Sequence, residues 1–378
     1  MEIKNKNKKK IVLVGPVYPF KGGISHYTGL LYRTLNEKYD VKMISYRMQY
    51  PKILFRKEQR DYANDSFKVE STEYGIHTAN PFNIISIGRN INKFKPDLII
   101  IQWWHPYFSP CYYLLSKCTK AKILFTCHNV FPHERFPFDR FLTKLALKQG
   151  DFYVLHSKTE AEELISIDSK ARYKINVHPT YNAFKFHDYT KVDAKKRLEI
   201  SEDDKVLLFF GFVRPYKGLV YLLQALEKLK KSKYKVKLLI VGDFGNKKEE
   251  YVQMIREFQI EDYIEIHDGY LPDKEVEKYF QASDLVVLPY ESATQSGIVQ
   301  IAYGFDRPVL VTNVGGLPEV VEDGKTGYIV EPKNPDALAE AIQKFYIENR
   351  DFTKEIKDAQ YKFSWERMVE TIEELQGW

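Results

Sequence analysis

This sequence predicts an α/β protein of two doubly wound domains. Short apolar runs alternate with helical patterns, the alternation breaks at a charged stretch and then restarts, and glycine-bearing turns fall where the runs end.

In the first half, residues 10–15, 40–45, 97–102, 122–127 and 151–155 read as buried strands. Helices are expected over residues 25–35, 84–94 and 139–149, between those strands. Such alternation implies a parallel sheet with crossover helices. A polar, charged segment over residues 185–204 interrupts the pattern. Beyond it, strands are expected over residues 206–211, 236–242, 263–267, 285–289 and 309–312, with helices over 219–230, 249–258, 273–281 and 335–346. Ligands of such sheets sit beyond the carboxyl ends of the strands, so a cleft between two such domains is the expected site.

At 378 residues the chain can build two cores, and its apolar and charged fractions are those of a soluble globular protein. Its densest apolar run, Leu98 to Ile101, is far too short to span a bilayer, and Ile11 to Val14 is too short for a signal segment. The three cysteines, Cys111, Cys118 and Cys127, lack metal-ligand spacing, which points to a reducing cytoplasm. Charge divides unevenly: residues 1–182 carry a balance of +13 and residues 183–378 one of −7. The basic half suits an anionic membrane surface or a phosphorylated lipid, while no recognised motif supports nucleic-acid binding.

Four turns carry the chemistry. Gly22 and Gly23 precede a helix and allow backbone to approach a phosphate or a sugar. The stretch Gly211 to Gly218 places Arg214 and Lys217 before another helix, where both can neutralise phosphate charge. Gly242 ends a strand. Thr294, Gln295, Ser296 and Gly297 open a helix over Ile298 to Ala302, whose unpaired N–H groups and dipole suit an anion; an ordinary Ser/Thr cap is the competing reading.

Taken together, the Gly22-Gly23 loop, Cys127-His128-Asn129, FFGFVRPYKGLVYLLQAL at 209–226, LLIVGD at 238–243, ASDLVVLP at 282–289 and RPVLVTNVGGLPEVVEDGKTGYIVEP at 307–332 resemble the retaining glycosyltransferases of family 4, which have the GT-B fold. The resemblance spans nearly the whole chain. It implies an acceptor-side domain at 1–184, a nucleotide-sugar domain at 185–360 and a helix at 361–378 crossing back to the first domain. It also implies transfer of a sugar from a UDP- or GDP-sugar to a hydroxyl acceptor, such as a lipid-linked or surface-polysaccharide glycan, with no metal or other cofactor. By that likeness Lys217 binds the donor phosphates, the amides of Gln295, Ser296 and Gly297 cradle the distal phosphate, Gly23 faces it from the other domain, and His128 stands beside the sugar. Aromatic and polar residues on the acceptor side are Trp104, His133 and Glu134, and the basic residues Lys52, Arg56, Lys57 and Arg60 could approach a lipid diphosphate. The expected location is cytoplasmic, at the inner face of the membrane.

The departures matter equally. Ala293 and Ile301 stand where the family has two glutamates, and Phe212 stands where it has a phosphate-binding arginine, for which Arg214 is the substitute. The missing carboxylates leave open a catalytically silent protein that binds nucleotide-sugar or glycan as a partner subunit.

Overall fold

The computed structural model describes residues 8–55, 58–63, 65–132, 135–180, 184–230 and 236–378. They form two compact units, one of residues up to Val177 together with Trp365–Trp378, the other of His178–Ser364.

The first unit is built on seven parallel strands: β1 (Lys10–Val14), β2 (Asp40–Met48), β3 (Glu73–His77), β4 (Leu98–Trp103), β5 (Lys122–Cys127), β6 (Phe152–Leu155) and β7 (Tyr173–Ile175), in the order β3-β2-β1-β4-β5-β6-β7. The central β4 is buried along its whole length, as its unbroken apolar sequence requires. Aspartates set the register at the amino edge. Asp97 accepts the Lys10 N–H at 2.7 Å, and Asp151 accepts that of Ile123 at 2.8 Å. Strands β3 and β7 escaped the sequence reading because they are edge strands with half-exposed residues and no continuous apolar run. Helices Ser109–Cys118 and Lys158–Ile167 add crossovers that it also lacked.

The second unit repeats the design with β8 (Lys205–Phe210), β9 (Val236–Gly242), β10 (Ile264–Asp268), β11 (Leu285–Leu288), β12 (Val309–Thr312) and β13 (Gly327–Val330), all parallel, in the order β10-β9-β8-β11-β12-β13. The charged segment before it is not a plain linker. Thr190 and Asp193 form a capping box that starts the helix Lys191–Arg197. Lys195 is buried there, its ammonium donating to the carbonyls of Glu202 and Asp204 at 2.6 and 2.7 Å.

The unit boundaries fall at Val177/His178 and Ser364/Trp365, where the sequence had suggested 184/185 and 360/361. One bond explains part of the difference: the Thr180 N–H donates to the Phe363 carbonyl at 2.8 Å, so both ends of the second unit close on each other. The helix Trp365–Gln376 then packs on the first unit. Met368 and Ile372 are fully buried, the Trp365 ring lies 5.0 Å from Tyr27, and Thr371 donates to Asn176 at 3.0 Å.

Candidate functional site

In each sheet the strand order reverses between the first and fourth strands of its unit, β1 and β4 in one, β8 and β11 in the other. Chains leaving such a pair diverge to opposite faces and leave a crevice at the carboxyl edge. The four glycine-bearing turns follow β1, β8, β9 and β11.

In the second unit, the turns after β8 and β9 are zipped together. The Gly211 N–H donates to the Val241 carbonyl at 2.9 Å and the Val213 N–H to that of Asp243 at 3.0 Å. The fit tolerates no side chain at Gly242, where an added Cβ would stand 2.0 Å from the Gly211 oxygen and φ is +147°. The turn after β11 is clamped from both sides. Glu291 N–H donates to the Tyr216 carbonyl at 2.7 Å, Thr312 Oγ1 to that of Tyr290 at 2.6 Å, and Gly316 N–H to that of Thr294 at 3.0 Å. At Gly315, φ +51°, a Cβ would fall 1.4 Å from the Ala293 oxygen, so glycine is required for this clamp.

The clamp presents the helix Gly297–Gly304. Its cap is the ordinary one: Ser296 Oγ accepts the Ile298 N–H at 3.3 Å. That leaves the N–H groups of Gln295, Ser296 and Gly297, which have no acceptor among the described residues. The buried Oε1 of Gln295 likewise has no partner among them. Beside this terminus lies Lys217, 9 % exposed, its Nζ 5.4 Å from the centre of the Tyr290 ring and 3.1 Å from where a Gly211 Cβ would be. Tyr290 Oη in turn reaches Ser296 Oγ at 3.5 Å. No carboxylate among the described residues pairs with Lys217. Burial lowers its pKa; Tyr216 opposes that shift, and the Arg214 charge adds a smaller push downward. The structure therefore brings Gly211, Lys217, Ser296 and Gly297 together, with Gly242 behind Gly211. Arg214 turns toward the next loop, where its Nη1 donates to the Val213 carbonyl at 3.1 Å and stands 3.5 Å from a Cβ built on Gly245.

Glu291 is turned away, pairing with Lys333 at 2.9 Å and accepting from Tyr221 at 3.2 Å, and Gln300 is buried against Thr180.

In the first unit, Gly22 and Gly23 open the helix Gly23–Lys38 and face open space, with nothing within 4 Å of a Cβ at either position. His128 follows β5. Its ring is 2 % exposed, with Nε2 2.8 Å from Gln102 Oε1 and Tyr27 edge-on at 4.6 Å. His156 lies 5.5 Å away and was missed by the sequence reading. Burial lowers its pKa to about 4, against the opposing pull of the Asn176 carbonyl, so it is neutral at pH 7. The signal was there in principle. The register Thr126↔Val154 sets His128 and His156 two residues further along adjacent strands.

Trp104 packs on Phe108 at 4.2 Å and donates its indole N–H to Tyr50 Oη at 3.2 Å, so its ring serves an aromatic cluster. His133, Glu134, Arg56 and Lys57 lie outside the described residues. Among the described residues no cluster of His, Cys, Asp and Glu could hold a metal ion, and no helix is long and apolar enough to cross a membrane.

Comparison with known proteins matches residues 21–180 to the model described as Glycosyltransferase Family 4 and residues 191–363 to that described as Glycosyl transferases group 1. A Salmonella typhimurium lipopolysaccharide 1,2-N-acetylglucosaminetransferase is 30 % identical over 199 residues, covering 49 % of this chain and 52 % of that protein. The putative teichuronic acid biosynthesis glycosyltransferase TuaC of Bacillus subtilis is 28 % identical over 274 residues, covering 71 % and 65 %. The chain spans about half the length of the first curated relatives it matches. Among solved structures, sucrose-phosphate synthase from Thermosynechococcus elongatus superposes with TM-score 0.74 at 18 % identity, over 97 % of this chain and 98 % of that one. Anabaena HepE in complex with UDP-glucose gives 0.74 at 17 %, over 98 % and 100 %. The fold is GT-B.

Proposed function

The chain belongs to the family 4 glycosyltransferases, and from this we propose that it transfers a sugar from a nucleotide-sugar to a hydroxyl of a glycan or lipid-linked acceptor, with retention at the anomeric carbon. The observation that carries the reading is the buried Lys217 ammonium, without a carboxylate partner among the described residues, beside three unpaired amides at the start of the helix Gly297–Gly304. A diphosphate supplies the charge that Lys217 lacks and the acceptors that those amides lack. As the bond from the anomeric carbon to the diphosphate breaks and the sugar bonds to the acceptor oxygen, the same groups stabilise the charge developing on the departing nucleoside diphosphate, work that needs no metal in this proposal. Arg214 adds a second cation from the neighbouring turn. Thr294 and Gln295 offer neutral hydrogen bonds to sugar hydroxyls in place of the family's glutamate. Gly22 and Gly23 give the donor close access to backbone, and His128, with Gln102, orients the reacting sugar or its acceptor. Support for a nucleotide donor comes from the UDP-glucose complex of HepE, and support for a glycan acceptor from the lipopolysaccharide and teichuronic acid relatives. The proposed location is the cytoplasmic face of a membrane, with no role for nucleic acid.

The absent glutamates favour a second reading, a catalytically silent protein that binds nucleotide-sugar or glycan as a subunit of a larger assembly. Turnover separates the two. Donor hydrolysis or transfer, measured over a panel of UDP- and GDP-sugars with glycan and lipid-linked acceptors, should occur and should fall on the order of 10²-fold in Lys217→Ala. Binding with no turnover across the panel would favour the silent subunit, and unchanged kinetics in Lys217→Ala would remove that residue from the site.

A further inference from the structure

The carboxyl-edge loops of the first unit carry apolar side chains that its core does not use. In the turn after β2, Ile53, Leu54 and Phe55 are 84, 64 and 41 % exposed; after β5, Phe138 and Phe141 are 78 and 64 % exposed. An aromatic path joins the two groups. Phe55 stacks on Tyr50 at 5.8 Å, Tyr50 meets Tyr107 at 4.9 Å, and His105, which caps the turn holding Tyr107, stacks on Phe136 at 5.7 Å. Phe138 also holds left-handed backbone, φ +69°, an unfavourable state for an aromatic residue that gains no burial in return. A single exposed apolar residue needs no explanation; five along one edge do.

The surrounding charge is mainly of one sign. Lys52, Arg140 and Lys144 are exposed next to these side chains. Asp139, the carboxylate of that helix's first turn, is buried and bound by Arg135 through two hydrogen bonds. Between Gln49 and Arg60 the sequence has one acidic residue, Glu58.

We propose that this edge is a docking surface for an anionic lipid bilayer. Rings and aliphatic chains at the loop tips enter the acyl boundary while the ammonium and guanidinium groups meet lipid phosphates. A protein partner would call for an interface core depleted of lysine, which this edge is not. The surface is also tied to the glycine loop. Lys21 N–H donates to the Gln59 carbonyl at 3.0 Å, Asp61 N–H donates to that of Pro19 at 2.7 Å, and Phe20 pairs with Arg60 in an antiparallel bridge. Seating the turn after β2 on lipid thus holds the Gly22–Gly23 loop close to the headgroups, where a lipid-linked acceptor would present its hydroxyl. That last step rests on the proposed transferase reading; the docking itself does not.

The test is cosedimentation of the full chain with vesicles of phosphatidylglycerol and phosphatidylcholine, compared with phosphatidylcholine alone, over a salt series. Binding is expected to the anionic vesicles only, to weaken with salt, and to fall at least about tenfold when Ile53, Leu54 and Phe55 are all replaced by serine, with the thermal midpoint unchanged. Lys52→Glu combined with Lys144→Glu tests the charge separately, at positions where folding is not at risk, and should lower binding to anionic vesicles. Absence of binding by the wild type, or equal binding by these variants, would overturn the proposal. So would self-association without lipid that the serine substitutions abolish, which would make the edge a contact between two copies. Lipid-free donor hydrolysis keeps the two readings apart. A chain that hydrolyses donor but ignores vesicles defeats the docking proposal alone, and one that binds vesicles without any turnover defeats the transferase reading alone.

Discussion

Burial beside Arg214 weakens the hold of Lys217 on its proton, and a bound diphosphate would strengthen it again. The sign of the pH dependence follows. Under the proposed function, affinity for nucleotide is expected to be full while the free protein keeps Lys217 charged, to begin to fall as pH rises through the lowered value of the free state, and to be lost above the value in the complex. The decline is therefore expected to begin below the ordinary lysine range of about 10.4. Calorimetric titration with UDP or GDP from pH 7 to 10 checks it, and Lys217→Arg, which keeps its charge throughout, should flatten the profile. Legibility at this scale was uneven. Lys217 was readable because it sits in a glycine-bounded turn just before a helix. His156 was not, since a histidine after a strand has no local mark; only the pairing of β5 with β6 sets it beside His128. Tyr290 and Gln102, which hold Ser296 and His128 in place, are also defined by what they touch.

Among the elements, two joints have contrasting origins. Glu277, on the helix Asp273–Ala282, accepts the N–H groups of Phe186, His187 and Tyr189 at 2.7, 2.7 and 2.9 Å, fastening the start of the second unit. Burial acts to raise this carboxyl, but those N–H groups and His187 outweigh it and hold the pKa below the ordinary value. Its stabilising contribution is complete above the unfolded value of about 4.3 and is lost as pH falls through the folded one. Glu277→Gln should cost about 2 kcal/mol at pH 7, with a difference in unfolding midpoint that narrows on acidification. At the other joint, Ile372 is fully buried on the first unit. Ile372→Ala should cost roughly 2–5 kcal/mol, and hydrogen exchange should show lost protection in the helix Gly23–Lys38 while β8 to β13 keep theirs. The resemblance anticipated this returning helix. Edge strands β3, β7 and β13 had no comparable signal, because strands exposed on one side need no continuous apolar run.

For the whole molecule, ligand binding provides the broadest check. A nucleotide that binds the folded chain at 100 times its dissociation constant should add about 2.7 kcal/mol of stability. A thermal-shift screen of UDP, GDP and their sugars ranks the donors, and mass spectrometry of copurified nucleotide gives an independent identification. Hydrogen exchange with the best ligand should protect residues 211–218 and 289–297, the two turns that clamp each other; no protection there would move the nucleotide elsewhere. By itself the sequence determined two restarted α/β patterns and the turns that end their strands, because buried parallel strands must be continuously apolar and clamped turns must be glycine. The tertiary structure alone decided that Glu291 pairs with Lys333 and Gln300 meets Thr180, that His128 is buried against Gln102 and Tyr27, and that exposed apolar tips share one edge of the first unit. Those outcomes depend on which distant side chains come to share a surface, and local sequence pattern carries no information about that.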